Sequence, residues 1–322
     1  MASLRGGEPG HILLLRVRPM RIELRGAGGE PVSFWHTVAS HGLAFLPPFE
    51  IDADQRTLRA ALRVAEHPRE VIFREVRGAL DVEVIGSRPV APADVRRVAA
   101  RVFRLDEDLS PFYSIAVDDQ ALSWATVGAG RLLKGASLFE DVVKTICTTN
   151  CTWSATVRMV TRLVEGLGET VRESPGVSTV QAFPTPASMA LAPETFYSEE
   201  MRCGYRGRFL RSIAEGVASE AVDLEGLCSA AAHDVTDAEV ESQLLELPGV
   251  GPYAAAHIML LMGRYSRFVL DSWTRPKYAQ LVGKAARDVQ IRRRFRSYGP
   301  FAGLAFWLFV TQDWVGESTA IR

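Results

Sequence analysis

The chain has few cysteines and does not group them. Its four, Cys147, Cys151, Cys203 and Cys228, show no Cys-x-x-Cys spacing. That pattern argues for reduced thiols rather than a disulfide framework or a zinc site. The six histidines show no metal-ligand spacing either. No apolar run is long enough to span a bilayer, and the opening Met1–Gly7 has no signal-peptide pattern. The expectation is a cytoplasmic protein, nucleoid-associated at most. An excess of positive charge is also missing. A net charge of −1 argues against a protein that coats nucleic acid without selection, while leaving room for a local basic face.

What is present fits a globular chain. Hydrophobic residues at 47% and charged residues at 23% over 322 residues suffice for two domains of ordinary size. The proline-rich Ser87–Asp94 marks the expected boundary, giving an N-terminal α+β sheet domain over 1–92 and a helical domain over 93–322. In the first, His11–Val17 and Arg21–Arg25 have strand character. Val71–Arg77 and Leu80–Ile85 flank Gly78-Ala79 as a hairpin. Between them Leu58, Leu62 and Ala65 predict one face of a helix. Nothing in this half suggests chemistry.

The second half reads as helix after helix, organised around Thr236–Asp271. Thr236 and Glu239 have capping-box spacing, and Val240, Leu244 and Leu247 give the following helix an apolar face. Pro248 and Gly249 stop it. Gly249 and Gly251 permit backbone angles closed to other residues, and Pro252 suits the first turn of a second helix, which ends at Gly263. A hairpin so placed leaves the N–H groups of Gly249, Gly251 and Tyr253 near a helix N-terminus, where a phosphate can bind. Asp271 ends the next apolar stretch. Alone, these features also fit a plain helical corner with Asp271 capping the helix that begins at Ser272-Trp273. Upstream, Leu138, Val142, Val143 and Ile146 predict a core-facing helix. Thr148-Thr149-Asn150-Cys151-Thr152 interrupts it, and Trp153, Val157, Val160 and Val164 resume the period. A simple interhelical turn is one account of the break.

With Leu247-Pro248-Gly249-Val250-Gly251 and Asp271 in place, the chain resembles the helix-hairpin-helix DNA glycosylase superfamily, in particular 3-methyladenine-DNA glycosylase II and 8-oxoguanine glycosylases. Further resemblance lies in Val102–Tyr113, Thr148–Thr152, Phe183-Pro184-Thr185-Pro186 with Gly204–Arg208, and Gly299–Trp307, so it covers roughly residue 95 onward. The resemblance implies a base-excision-repair enzyme acting on double-stranded DNA that holds a damaged base, working as a monomer. Asp271 is then the catalytic carboxylate. Asn150 faces the vacated position in the duplex, and Cys151 stands where relatives carry a wedge asparagine. Tyr205 stacks near the extruded nucleotide, Arg206 reaches the opposite strand, and Lys277 is a phosphate contact. Tyr253, Trp273, Phe306 and Trp307 surround the base. The main-chain carbonyls of Leu245, Leu247 and Val250 are the family's candidate ligands for a structural monovalent or hard cation at the hairpin. No other cofactor is implied. The iron–sulfur cluster of some members needs four C-terminal cysteines, and none follows Cys228.

Two substitutions shape the expected chemistry. Bifunctional relatives carry a nucleophilic lysine where this chain has Tyr253, and a phenol cannot form an imine. The expectation is a monofunctional hydrolase. In the 8-oxoguanine branch the final helix gives a glutamine to the base, at the position matched here by Phe306. Aromatic faces favour an alkylated, positively charged purine. The alternatives are an 8-oxoguanine-type enzyme, favoured by the Asn150 and Tyr205 motifs, and a non-catalytic helix-hairpin-helix DNA-binding protein.

Overall fold

The structure, a computed structural model, describes residues 15–16, 19–86, 89–171, 180–231 and 233–314. Most of the expected His11–Val17 strand and the first two residues of the expected boundary lie outside these. The sheet comprises β1 (Leu15–Arg16), β2 (Met20–Glu23), β3 (Phe49–Asp52), β4 (Thr57–Val64), β5 (His67–Val76) and β6 (Ala79–Gly86), with a short helix α1 (Phe34–Val38) between β2 and β3. β3 to β6 form an antiparallel meander, and β1 and β2 both pair with the far side of β6. The Gly78-Ala79 hairpin sets a register in which Phe73 opposes Val82.

The predicted helix over Leu58–Ala65 is strand β4. Leu58 and Leu62 share a face at i, i+4, but a strand of period two satisfies that spacing as well. Ala60 and Val64 fill the intermediate positions and are fully buried. Ala65 instead belongs to the next turn, where it and Glu66 both have positive φ, as a tight hairpin of this hand requires.

α2 (Pro92–Phe103) packs Val95, Ala99, Val102 and Phe103 onto the sheet, forming one core with Leu58, Leu62, Phe73 and Val82. The remaining helices build a larger second core. They are α3 (Ser110–Ala116), α4 (Leu138–Thr148), α5 (Trp153–Leu167), α6 (Pro186–Leu191), α7 (Arg206–Ala218), α8 (Leu224–Ser229), α9 (Asp237–Glu246), α10 (Pro252–Met262), α11 (Thr274–Val282), α12 (Asp288–Arg294) and α13 (Ala302–Thr311). α13 is buried along its whole length and α10 from Ala254 onward. Helices apolar on every side belong in the centre of such a layer.

The two cores are tied by a buried cation. Arg131 is fully buried and pairs through Nη2 with the carboxylate of Glu30 from the sheet half. It also donates to the carbonyl oxygens of Arg104 (3.1 Å) and Glu107 (2.8 Å). Glu30 in turn accepts the Leu109 N–H at 2.7 Å. Among the described residues, no helix is long and apolar enough to cross a membrane.

Candidate active site

The hairpin is built as its turn chemistry dictates. Thr236 caps α9 with the full reciprocal pair, Glu239 accepting the Thr236 N–H at 2.8 Å. Gly249 sits in the left-handed region at φ 83°, and a Cβ there would come within 2.7 Å of the Phe209 ring. Only glycine fits. Gly251 differs from expectation: its backbone is extended, at φ −100° and ψ −178°, a conformation open to any residue. A Cβ on Gly251 would meet nothing within 4 Å, so this glycine keeps an approach open rather than relieving strain. The N–H groups of Gly249, Gly251 and Tyr253 donate to no described residue. Pro252 opens α10, whose N-terminal dipole points toward the same opening.

The chain leaves α10 through left-handed Gly263 and arrives at Asp271. Asp271 Oδ1 accepts the N–H groups of Trp273 at 2.9 Å and Thr274 at 2.6 Å, while Thr274 Oγ1 accepts the Asp271 N–H at 2.9 Å. This reciprocal cap starts α11 at Thr274, two residues later than the sequence suggested. It fixes the carboxylate by one oxygen and leaves Oδ2 without a hydrogen-bond donor among the described residues.

Asp271 opens on a cleft with a cavity volume of about 1160 Å³. Its walls are the hairpin Gly249–Ala254, the loop between α4 and α5, the turn Leu270–Trp273, Gly42-Leu43 from the sheet half, and Trp307 and Trp314. Among the described residues, Asp271 is the one acidic residue on these walls, and no lysine or arginine lines them. Trp273 packs against Trp314 and Trp307 with ring centroids 5.3 and 6.4 Å apart. Trp307 is fixed by its Nε1, which donates to the Ser40 carbonyl at 3.0 Å. The Tyr253 hydroxyl lies 3.4 Å from Thr148 Oγ1, and burial holds its pKa above the usual phenol value. It is a neutral aromatic wall.

Several expected site residues therefore meet in one place: Asp271, Tyr253, Trp273, Trp307, Tyr205, Asn150, Cys151, Gly249, Val250 and Gly251 all line the cleft. Others do not. Phe306 faces away, fully buried among Phe268, Tyr278 and Phe295, so Trp307 alone of that pair reaches the cleft. Lys277 is half-buried and engaged with Asp313, outside the cleft. Arg206 is buried rather than extended toward a second strand. It donates to the Thr149 carbonyl and lies 4.7 Å over the Tyr205 ring, bracing the loop from beneath. Cys151 turns inward, its thiol donating to the Cys147 carbonyl at 3.1 Å. The loop's exposed tip is Asn150, in the left-handed region at φ 48°, with Nδ2 donating to the exposed Tyr205 hydroxyl at 3.2 Å. At the hairpin the Leu247 carbonyl already accepts the Val250 N–H at 3.1 Å.

Sequence reasoning missed His257. It lies one turn beyond Tyr253 on α10, lines the cleft and is 5% exposed. Its ring sits between Tyr253 and Trp307, with centroids 6.1 and 5.7 Å away, and meets His41 edge-on at 6.1 Å. Burial pushes its pKa down to about 4, although the Asp271 charge acts the other way, so the imidazole is neutral near pH 7. The signal was available: His257 is the one ionisable side chain besides the Tyr253 phenol in an otherwise apolar helix, at i+4 from Tyr253.

No protein-family model matches this sequence, and no curated protein does. Solved structures do. The 8-oxoguanine glycosylase/lyase of Clostridium acetobutylicum, in complex with double-stranded DNA, superposes with TM-score 0.69 at 20% identity, over 94% of this chain and 98% of that one. The 3-methyladenine DNA-glycosylase of Archaeoglobus fulgidus gives 0.70 at 20% identity, over 91% and 98%. MBOgg1, bound to a low-affinity DNA ligand, gives 0.66 at 20% identity over 97% of both chains. The fold of this chain is that of the helix-hairpin-helix DNA glycosylases.

Proposed function

We propose that this protein is a DNA glycosylase that extrudes an alkylated purine from a duplex and hydrolyses its N-glycosidic bond without strand cleavage. One observation carries the reading: among the described residues, the cleft joins a single fixed carboxylate to several aromatic faces and has no cationic side chain on its walls.

A base within a duplex is out of reach, so the nucleotide must leave the stack, and a damaged base leaves most cheaply. The free amides of the hairpin and the N-terminus of α10 suit the backbone phosphate beside it. Asn150 and Tyr205, at the cleft's rim, suit the gap left in the duplex. Breaking the N-glycosidic bond develops positive charge on the sugar, and Asp271 Oδ2 is the unengaged anion to oppose it. The same carboxylate can orient a water toward the anomeric carbon. An alkylated purine already carries positive charge and departs without prior protonation. Aromatic faces attract it by about 0.5–2 kcal/mol per contact, and no lysine or arginine on the walls repels it. With Tyr253 in the nucleophile's slot, no lysine among the described residues lines the cleft, which favours hydrolysis.

A second reading, release of 8-oxoguanine, draws on the Asn150–Tyr205 pair and on the Clostridium acetobutylicum neighbour. Single-turnover release from duplexes carrying 3-methyladenine, 7-methylguanine or 8-oxoguanine opposite cytosine, with and without alkali, separates the two. Faster release of 8-oxoguanine rejects the aromatic, cation-free cleft as the basis of choice. Duplex binding with no release of any base assigns the chain to non-catalytic DNA binding instead.

A further inference from the structure

The hydrogen-bonding groups of the deep walls are almost all spent on the protein itself. Thr148 donates to the Thr145 carbonyl at 2.7 Å, Thr156 to that of Cys147 at 3.0 Å, and Trp307 to that of Ser40 at 3.0 Å. With the Thr148 proton committed, the Tyr253 hydroxyl is the donor in its contact with Thr148. His257 is the exception. Both its nitrogens are buried, and neither has a hydrogen-bond partner among the described residues.

An unpaired buried imidazole is costly. Each unsatisfied nitrogen forfeits its hydrogen bond to water, and a leucine would fill a similar volume without that loss. A polar group kept at such a cost, on the wall of the cleft and beneath the aromatic faces, points to a partner that is present only some of the time. His257 is part of the cavity wall while both its nitrogens are buried, so presenting one of them to a ligand requires the ring to turn about the Cβ–Cγ bond.

We propose that His257 is the residue that reads the extruded base, forming with its edge the hydrogen bond that chooses among alkylated purines. The inference rests on the reading of this cleft as a base pocket. The neighbouring aromatic rings attract any flat cationic base and discriminate little, because every base has a π face. A neutral imidazole offers one donor and one acceptor. It therefore rewards only a base whose complementary group arrives at that depth. 3-Methyladenine and 7-methylguanine present different edges, an amine against a carbonyl at position 6, and so are distinguishable by one such bond.

The test compares wild type, His257→Leu and His257→Gln in single-turnover release of 3-methyladenine and 7-methylguanine. Affinity for a duplex with a baseless site analogue and the thermal midpoint are measured alongside. In His257→Leu, release of the preferred base should slow by about tenfold, and the ratio of the two rates should fall toward one. Affinity for the baseless duplex should be unchanged, because that ligand has nothing to read, and the midpoint should be equal or higher. His257→Gln should regain part of the preference. Unaltered rates and ratio in His257→Leu would overturn the inference while leaving the glycosylase reading intact. A lowered midpoint with weaker binding of the baseless duplex would show a structural histidine and also overturn it. If wild type releases neither base, the base-pocket reading itself falls, and this inference with it.

Discussion

Replacing Asp271 by asparagine separates the two tasks that the structure gives this side chain. Oδ1 caps α11 by accepting two backbone N–H groups, and Oδ2, on a residue that lines the cleft, has no donor among the described residues. Asparagine retains an acceptor for the cap but loses the charge that strengthens both bonds, a cost of about 1 kcal/mol. Spread over a chain of this size, that lowers the thermal midpoint by about 1–2 °C. Catalysis should suffer far more. The carboxylate's stabilisation of the developing cation exists only in the transition state, and removal of one such group costs about a hundredfold to a thousandfold in rate. Asp271→Ala should be equally inactive and less stable, because the Thr274 N–H, part of a fully buried residue, then has no acceptor; the added loss is about 1–2 kcal/mol. Single-turnover release from a methylated duplex, thermal melting and affinity for a baseless duplex measure the three quantities separately. Release by Asp271→Asn at the wild-type rate would refute the assignment of Asp271, whatever happened to stability.

Further expectations follow from other parts of the site. On the proposed reading, borohydride should trap no protein–DNA adduct, and product strands should break only after alkali, since a phenol, that of Tyr253, and no lysine among the described residues lines the cleft; a trapped species of the summed mass would identify another nucleophile. Gly249→Ala should destabilise by about 1–3 kcal/mol, because its φ is positive and the new methyl meets Phe209. Gly251→Ala should melt as wild type but bind duplex more weakly, the methyl standing in open space beside the free amides; anisotropy and melting together check both. Stability should also fall on acidification. Burial holds His41 and His257 neutral, with pKa values of about 3 and about 4 against an ordinary 6.5, so below that value the unfolded chain binds two more protons than the folded one. Asp141, raised to about 6 by burial, opposes this by one proton. These three groups leave a net of one proton between pH 6 and 4, a loss of about 1.4 kcal/mol per pH unit, and His36, also lowered by burial, acts in the same direction. Urea titrations across that range should show it, with a steeper slope in Asp141→Asn, and a flat profile would contradict the burial argument.

The parts of this structure governed by local chemistry were legible in the sequence. Thr236 and Glu239 cap each other, Gly249 takes the one backbone angle closed to its neighbours, and Pro252 starts α10, each for reasons confined to a few residues. Phases and long-range partners were not legible. α13 is apolar on all sides, so nothing in its sequence says whether Phe306 or Trp307 faces the cleft. Leu58 and Leu62 obey two periods at once, and the deciding residue, Ala65, reveals itself only through its turn. Lys277 looked free because Asp313 lies far along the chain. Gly42 and Leu43 belong to a half whose sequence suggested no chemistry, yet they form one wall of the cleft.

The Arg131–Glu30 pair has a consequence for how the chain can be divided. A guanidinium with no exposed surface draws its counter-charge from the other half of the molecule. Cutting the chain near residue 92 would strand that cation in the helical half, and an uncompensated buried charge of this kind costs about 3–5 kcal/mol. That is a large part of what typically holds a domain folded. The sheet is thus less an appendage than a counter-ion with a scaffold, and the two halves should melt in a single transition.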